Sequence, residues 1–313
     1  MAYGGIERVV WGLGKGLSQL GHNVCYLTDP GSKCSHATIV PYNSSLPIND
    51  QIPEECDVVH FHFTPREDIS KPSIVTVHVN KAPAQFHINS VFVSKDHASR
   101  FSSDVFVHNG LDWSEYSTPD LENKRTHFHF LGNAAWRKKN VKGAIKIARK
   151  AGEKLVVVGG TRLNFKMGFR FTVSPQVTFK GMIGGEEKDK VLNTSKGLIF
   201  PVLWPEPFGL AIIESLYFGC PVFGTGFGAL PELISNEVGF VSNSMNELVR
   251  AVKEAAGYDG KICHEYASEC FSAKKMAADY VNLYFRVLNG EKLNSTLPYP
   301  KYPPNKKLFS VNK

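Results

Sequence analysis

Between Phe200 and Glu232 the chain reads FPVLWPEPFGLAIIESLYFGCPVFGTGFGALPE, and its glycines and prolines leave few ways to fold. Gly197-Leu198-Ile199-Phe200 is an apolar run closed by Pro201, which is the pattern of a buried strand. Trp204-Pro205-Glu206-Pro207 excludes a helix, because two prolines remove donors and push the preceding residues to extended conformations. From Leu210 the pattern becomes periodic: Leu210, Ile213 and Leu216-Tyr217 fall on one helical stripe, and Gly219 with Pro221 stops it before a second apolar strand at Val222-Phe223. Strand, rigid loop, helix start, short helix and strand therefore follow one another. Such a helix start presents unpaired N–H groups and the positive end of the helix dipole, a natural site for phosphate.

Glu206 falls in the loop just before this helix start. Glu214 falls within the helix, about a turn and a half in at roughly 3.6 residues per turn. Two glutamates at this spacing are commonly dipole complements or solvated helix residues. Beside a phosphate they also suit contacts to the groups flanking it.

The stretch E-P-F-G-L-x-x-x-E, followed by G-x-P-V and G-x-x-P-E, resembles the donor-site signature of retaining, family-four-like glycosyltransferases of the GT-B fold (glycosyl transferases group 1). The resemblance implies that Glu206 contacts hydroxyls of the donor sugar. It implies further that the amides of Phe208, Gly209 and Leu210 approach sugar and phosphate, and that Glu214 holds the ribose hydroxyls. Further matches, in order, span most of residues 2–288.

The fold implied is α/β, with two Rossmann-like domains facing a cleft. The expected division is 1–120 for the acceptor-side domain, 121–290 for the nucleotide-sugar domain and 291–313 for a tail rich in Pro and Lys. The final helix is expected to pack back on the first domain, and the tail to be poorly ordered or to seek a membrane surface.

At 313 residues the chain is long for one core and suits two domains. No apolar run approaches the ~18 residues of a membrane span, and the first residues do not form a signal peptide. The six cysteines form no C-x-x-C pair, as expected of reduced thiols in a cytoplasmic protein. Charge is uneven. Residues 1–125 carry 10 Lys and Arg against 14 Asp and Glu, or −4, and the remaining 26 against 15 give +11. A basic second half suits a phosphorylated ligand or an anionic membrane face, with peripheral location at the inner face as the expectation. No nucleic-acid motif accompanies the charge, so nucleic acid is not an expected partner.

Gly4-Gly5 opens an amphipathic helix closed by Gly21, and His22 to Thr28 reads as a strand. In the resembled family the paired glycines let the backbone approach the donor phosphates. A central strand of ~5–6 residues should precede this loop in a doubly wound sheet, and the chain begins at the loop itself. The first domain is expected to lack that strand, through truncation or a different solution. Strands follow at Thr38–Val40, Val58–Phe61, Ile74–Val77 and Val91–Val93, and Val105–Asp112 reads as a strand running into the Asn109-Gly110 turn. His60, His62 and His78 fall at strand ends, where ligands gather in open α/β sheets. The resemblance gives His78 a contact to the donor sugar. His60 or His62 faces the acceptor or is structural, and a pair without a third ligand does not predict a metal.

The second domain opens with the strand Phe128–Gly132. The cations Arg137, Lys138 and Lys139 come next, either a solvated basic face or a grip on a diphosphate. The family has Arg after this glycine and Lys about five residues on. Here Asn133 stands in the first place, Lys139 matches the second after one inserted residue, and Arg137 is the candidate substitute for the Arg. Leu155–Gly160 and Val177–Gly181 are further strands, and the backbone at Met182-Ile183 is where the family receives the base.

The activity implied is metal-independent transfer of a hexose, with retention, from a UDP-, GDP- or ADP-sugar to a hydroxyl of a glycan or lipid-linked acceptor. No further cofactor is expected, and the setting by analogy is polysaccharide or lipopolysaccharide assembly at the cell surface. The alternative is a protein of this fold that binds nucleotide sugar without transfer. Base, sugar, acceptor and oligomeric state are left open.

Overall fold

A computed structural model describes residues 4–165, 167, 169–302 and 308–312. The chain divides into two compact units. One comprises Ile6–Asp112 with Phe271–Pro304, and the other comprises Met1–Gly5, Trp113–Cys270 and Asn305–Lys313.

The first unit begins with helix α1 (Gly5–Gln19), whose Val9 and Leu13 are buried. Strands β1 (Cys25–Thr28) and β2 (Thr38–Pro41) form a parallel pair. Strands β3 (Val59–Phe61), β4 (Ser73–Val77) and β5 (Ser90–Phe92) form a separate parallel sheet with the fully buried β4 at its centre. Among the described residues no strand joins the two sheets. What links them is apolar packing: Leu27 of β1 and Val59 of β3 lie in one cluster with Ile48, Phe61 and Val75. Helix α2 (Lys95–Arg100) follows, its first turn capped by the Ser94 hydroxyl accepting from His97 N–H.

The strand expected to run from Val105 into the Asn109-Gly110 turn does not form as such. Only a bridge from Phe92 to Phe106 and another from Leu111 to Ser272 remain. The physical reason is that Leu111 exchanges its backbone bonds with Phe271 and Ala273, at 2.9 and 2.8 Å, where the chain enters helix α9 (Ala273–Leu288). Gly110 permits that approach, since a Cβ there would lie 2.2 Å from the Ser272 carbonyl oxygen. The tail also differs from expectation where it is described. Asn294 is buried and donates to the carbonyls of Ile88 and Ser90, and Tyr299 N–H donates to Phe101. Side-chain and backbone partners thus hold a segment whose composition reads as loose.

The other unit is a single parallel sheet. Its strands are β6 (His127–Leu131), β7 (Leu155–Val158), β10 (Val177–Phe179), β11 (Ser195–Phe200), β12 (Val222–Gly224) and β13 (Gly239–Val241). The spatial order is β10-β7-β6-β11-β12-β13. A small antiparallel ribbon, β8 (Leu163–Asn164) with β9 (Arg170–Phe171), interrupts the path from β7 to β10. The crossover helices are α3 (Val141–Ala151), α4 (Gly185–Asn193), α5 (Leu210–Tyr217) and the single turn α6 (Leu230–Leu233), and α7 (Met245–Lys253) and α8 (Gly260–Cys270) follow the last strand.

The strands are apolar along nearly their whole length because helices cover the sheet. Phe128, Val157, Ile199 and Phe223 lie in one fully buried cluster with Ala144 and Ile147 of α3. His129 is a polar exception in this core. It bonds Ser195 Oγ at 2.6 Å and Ser215 Oγ at 2.8 Å, tying β6 to β11 and α5. Strand order reverses between β6 and β11, so the loops leaving their carboxyl ends diverge and frame a crevice.

Candidate functional site

The loop after β6 and the loop after β11 meet at that crevice. The first begins at Gly132 (φ 151°) and is packed against Gly159, where a Cβ would fall 2.2 Å from the Gly132 carbonyl oxygen. Asn133 turns its own side chain back to accept from Ala135 N–H at 3.0 Å, so the side chain that replaces an arginine holds the turn. Arg137–Lys139 form one tight turn, after which Asn140 takes a left-handed conformation (φ 57°). Its Oδ1 accepts from Gly143 N–H and caps α3, while its Nδ2 donates to the Pro201 carbonyl at 2.8 Å. Asn140 thus pins the β6 loop to the end of β11. Leu203 N–H adds a bond to the Lys138 carbonyl at 2.8 Å.

Glu206 lies in the second loop and is buried. Its Oε2 accepts from Lys139 Nζ and from Trp204 Nε1, each at 2.7 Å. Among the described residues no hydrogen bond falls on Oε1. Its backbone is held against Gly228, whose φ of 67° and lack of a side chain allow it to pass there; a Cβ would sit 2.2 Å from the Glu206 nitrogen. Lys138 Nζ stands 3.5 Å from the centre of the Trp204 ring and 4.7 Å from that of Trp136. Burial and then the neighbouring Lys139 charge pull its pKa down, and Glu206 opposes this. Arg137 is exposed. The geometry therefore draws Lys139 into the site with Glu206, adds Lys138, and leaves Arg137 at the surface.

Phe208 is buried and Gly209 has φ 108°, a conformation natural to glycine, so the chain turns sharply into α5. No side chain caps the first turn of α5, which starts beside Glu206, and its Ile212 N–H donates to the Gly209 carbonyl at 2.9 Å. Leu210 opens the helix. Glu214, one turn on, is 3% exposed and is bound through Oε1 by Lys188 Nζ at 2.5 Å and Tyr116 OH at 3.0 Å. Lys188 also sits over the Tyr116 ring at 4.6 Å. Tyr116 belongs to an aromatic group with Trp113 and Tyr217, of which Trp113 and Tyr217 stack 4.2 Å apart and within 3° of parallel. Met182 and Ile183 follow the bridge between Gly160 and Gly181, just beyond the end of β10, with Met182 exposed.

Gly4 and Gly5 lead into α1 and are grouped with this unit. His78 belongs to the first unit, directly after β4. There His62 Nδ1 and His78 Nε2 are 2.9 Å apart, and the His60 ring stacks on His62 with centroids 4.4 Å apart. His60 is fixed by Tyr284 OH at 2.8 Å and Thr76 Oγ1 at 2.7 Å. Burial moves the pKa of His62 down to about 3 and that of His78 to about 4, with His78 adding to the effect on His62. All three imidazoles are neutral near pH 7. Among the described residues no group of three or more His, Cys, Asp or Glu side chains converges as a metal site would.

Lys188, Trp204 and Tyr116 are the partners that sequence reasoning missed. Trp204 was signalled by its place in the W-P-E-P loop. Nothing in the charge run around Lys188 marks it as buried.

A six-stranded parallel sheet with a buried Lys–Glu pair and a helix start without a side-chain cap at its switch point has the architecture of one half of the GT-B fold. Solved structures carry the same fold over both units. A glycosyltransferase involved in avilamycin A biosynthesis matches with TM-score 0.76 at 23% identity, covering 92% of each chain. Sucrose-phosphate synthase from Thermosynechococcus elongatus matches with TM-score 0.66 at 18% identity, covering 92% of this chain and 94% of its own.

The family model "Glycosyl transferases group 1" matches residues 117–263, just under half of the chain. Among curated relatives, N-acetyl-alpha-D-glucosaminyl L-malate synthase of Bacillus anthracis is 25% identical over 35% of this chain and 31% of its own length. The O-antigen chain mannosyltransferase C of Escherichia coli is 28% identical over 37% of this chain and 34% of its own. The matched segments span about a third of these relatives.

Proposed function

We propose that the protein transfers a hexose, with retention of anomeric configuration, from a nucleotide diphosphate sugar to a hydroxyl of a glycan or lipid-linked acceptor in cell-surface glycan assembly. The observation that carries this reading is the Lys139–Glu206 pair beside the uncapped start of α5. A diphosphate seated on that helix start would meet N–H groups and the Lys139 and Lys138 ammonium groups. They would stabilise the negative charge that grows as the glycosidic bond breaks. Arg137 would join them from the surface.

Glu206, with Oε1 open to accept, would orient a sugar hydroxyl. Glu214, held rigid by Lys188 and Tyr116, would receive the ribose hydroxyls. The backbone of Met182 and Ile183 would receive the base, and His78 would line the sugar. The leaving diphosphate itself would take part in deprotonating the acceptor, so no metal is required by this scheme.

The test is a transfer assay across UDP-, GDP- and ADP-sugars with and without a chelator, with the anomeric configuration of the product read by NMR. Transfer with retention, unchanged by chelation, is expected; inversion or hydrolysis alone would refute the scheme. A second reading, donor binding without transfer, is motivated by Asn133, whose side chain holds a turn and brings no cation to the diphosphate. Tight nucleotide binding with no turnover on any donor would select it.

A further inference from the structure

The β8–β9 ribbon is built inside out. Leu163 pairs with Phe171 and Asn164 with Arg170, so each pair shares a face. On the inner face Arg170, Thr172 and Ser174 are buried. Arg170 donates to Thr172 Oγ1 at 3.1 Å and to the Thr161 carbonyl at 2.9 Å, and its guanidinium lies 4.9 Å from the Phe179 ring centre. Arg162 secures the base of the ribbon by donating to the carbonyls of Thr172, Ser174 and Val177.

The outer face is apolar and wet. Leu163 is 44% exposed, Phe165 72%, Phe169 65%, Phe171 59% and Val173 78%, with the Phe165 and Phe169 rings 5.8 Å apart. A half-buried ribbon ordinarily turns its apolar side to the core. Slipping by one residue would bury these side chains, but it would turn Arg170 and Thr172 out of their bonds. A contiguous apolar face held outward by polar anchors marks an interaction surface.

We propose that this face inserts into the interface of an anionic lipid bilayer. From Gly159 to Gly185 the sequence holds not one Asp or Glu, and besides the buried Arg170 it carries Arg162, Lys166 and Lys180. An apolar surface set in a basic segment complements acyl chains below and anionic headgroups around them. A second copy docked face to face would instead bring two basic segments together. The proposal is independent of sugar transfer: a chain without that activity would bind the same membrane.

The test is co-sedimentation of the full chain with vesicles of phosphatidylcholine alone or mixed with phosphatidylglycerol. Binding to the mixed vesicles, weakened by added salt, is expected. Phe165→Ser/Phe169→Ser should lower the partition coefficient by about tenfold while leaving the thermal melt in place. No binding by the unaltered chain, or equal binding by the variant, would overturn the proposal. So would a dimer in lipid-free light scattering that the variant converts to monomer, which would assign the face to a second copy. Should the double variant fail to fold, Phe169→Trp keeps the face apolar: added quenching by brominated lipids supports insertion, and none overturns it.

Discussion

Lys139 and Glu206 come from loops that leave two different strands on either side of the point where the sheet reverses its order, and they meet at 2.7 Å in a nearly closed environment. Neither residue lies within 60 positions of the other in the chain, so their pairing is a product of the sheet. Lys139 faces both the carboxylate and the place where a diphosphate would sit. Under the proposed function its charge would serve fold and ligand together.

Removing one partner should reveal this double duty. Lys139→Met leaves a buried carboxylate without its cation and is expected to lower unfolding free energy by about 3–5 kcal/mol. Adding Glu206→Gln should return most of that loss without returning affinity for a nucleotide diphosphate. Urea unfolding and calorimetric titration of the single and double variants read the two quantities separately. Additive stability effects would show that the pair is not coupled.

Gly228 tests whether the backbone of Glu206 must lie where it does. At φ 67°, with the Glu206 main chain directly against it, alanine is strained by conformation and by contact. Gly228→Ala should cost about 2–3 kcal/mol and weaken nucleotide-sugar binding more than nucleotide binding. Equal loss of both ligands would place the effect in the fold at large.

The Glu214 arrangement predicts graded losses. Tyr116→Phe removes a hydrogen bond to a charged group and should cost about 1.5–3 kcal/mol, whereas Lys188→Met strands the buried carboxylate and should cost about 3–5 kcal/mol. If Glu214 meets the ribose, Tyr116→Phe should also lower nucleoside diphosphate affinity several-fold. A variant that loses stability and keeps its affinity would refute that role.

Acid should unfold the protein through its histidines. Burial holds the pKa of His62, His97 and His129 down to about 3 and that of His78 to about 4. The unfolded chain takes protons at these positions below about pH 6.5, so it binds more protons than the native state there. The stability they contribute is present above about pH 6.5 and is lost as pH falls toward their native values. Each contributes a slope of about 1.4 kcal/mol per pH unit in that window. His129→Gln should reduce the slope measured by urea unfolding between pH 6.5 and 4 by about one histidine's share; an unchanged slope would exclude His129 as a contributor.

Legibility in the sequence followed the range of the interactions. Gly209, Pro207 and the stripe from Leu210 fixed the loop and the start of α5, because punctuation and period are local signals. Glu214 was readable as a helix residue, but Lys188 and Tyr116 reach it from other elements, and their burial follows only once the helices pack. The Val105–Asp112 strand failed because Leu111 found its backbone partners beside α9, far away in sequence. The β8–β9 ribbon was not read from the sequence, and the alternation in 163–173 is silent on which side faces solvent. The polar anchors of Arg162 and Arg170 decide that, and their partners are set by the turn geometry.

Asn140 binds α3 through one end of its amide and Pro201 through the other, so the β6 and β11 loops form a single mechanical part. A nucleotide touching either would quiet both. Amides of residues 132–140 and 201–210 should gain hydrogen-exchange protection together on binding, and Asn140→Ala should let one respond without the other. The small side chain at that left-handed corner would then govern how binding in one half of the crevice is felt in the other.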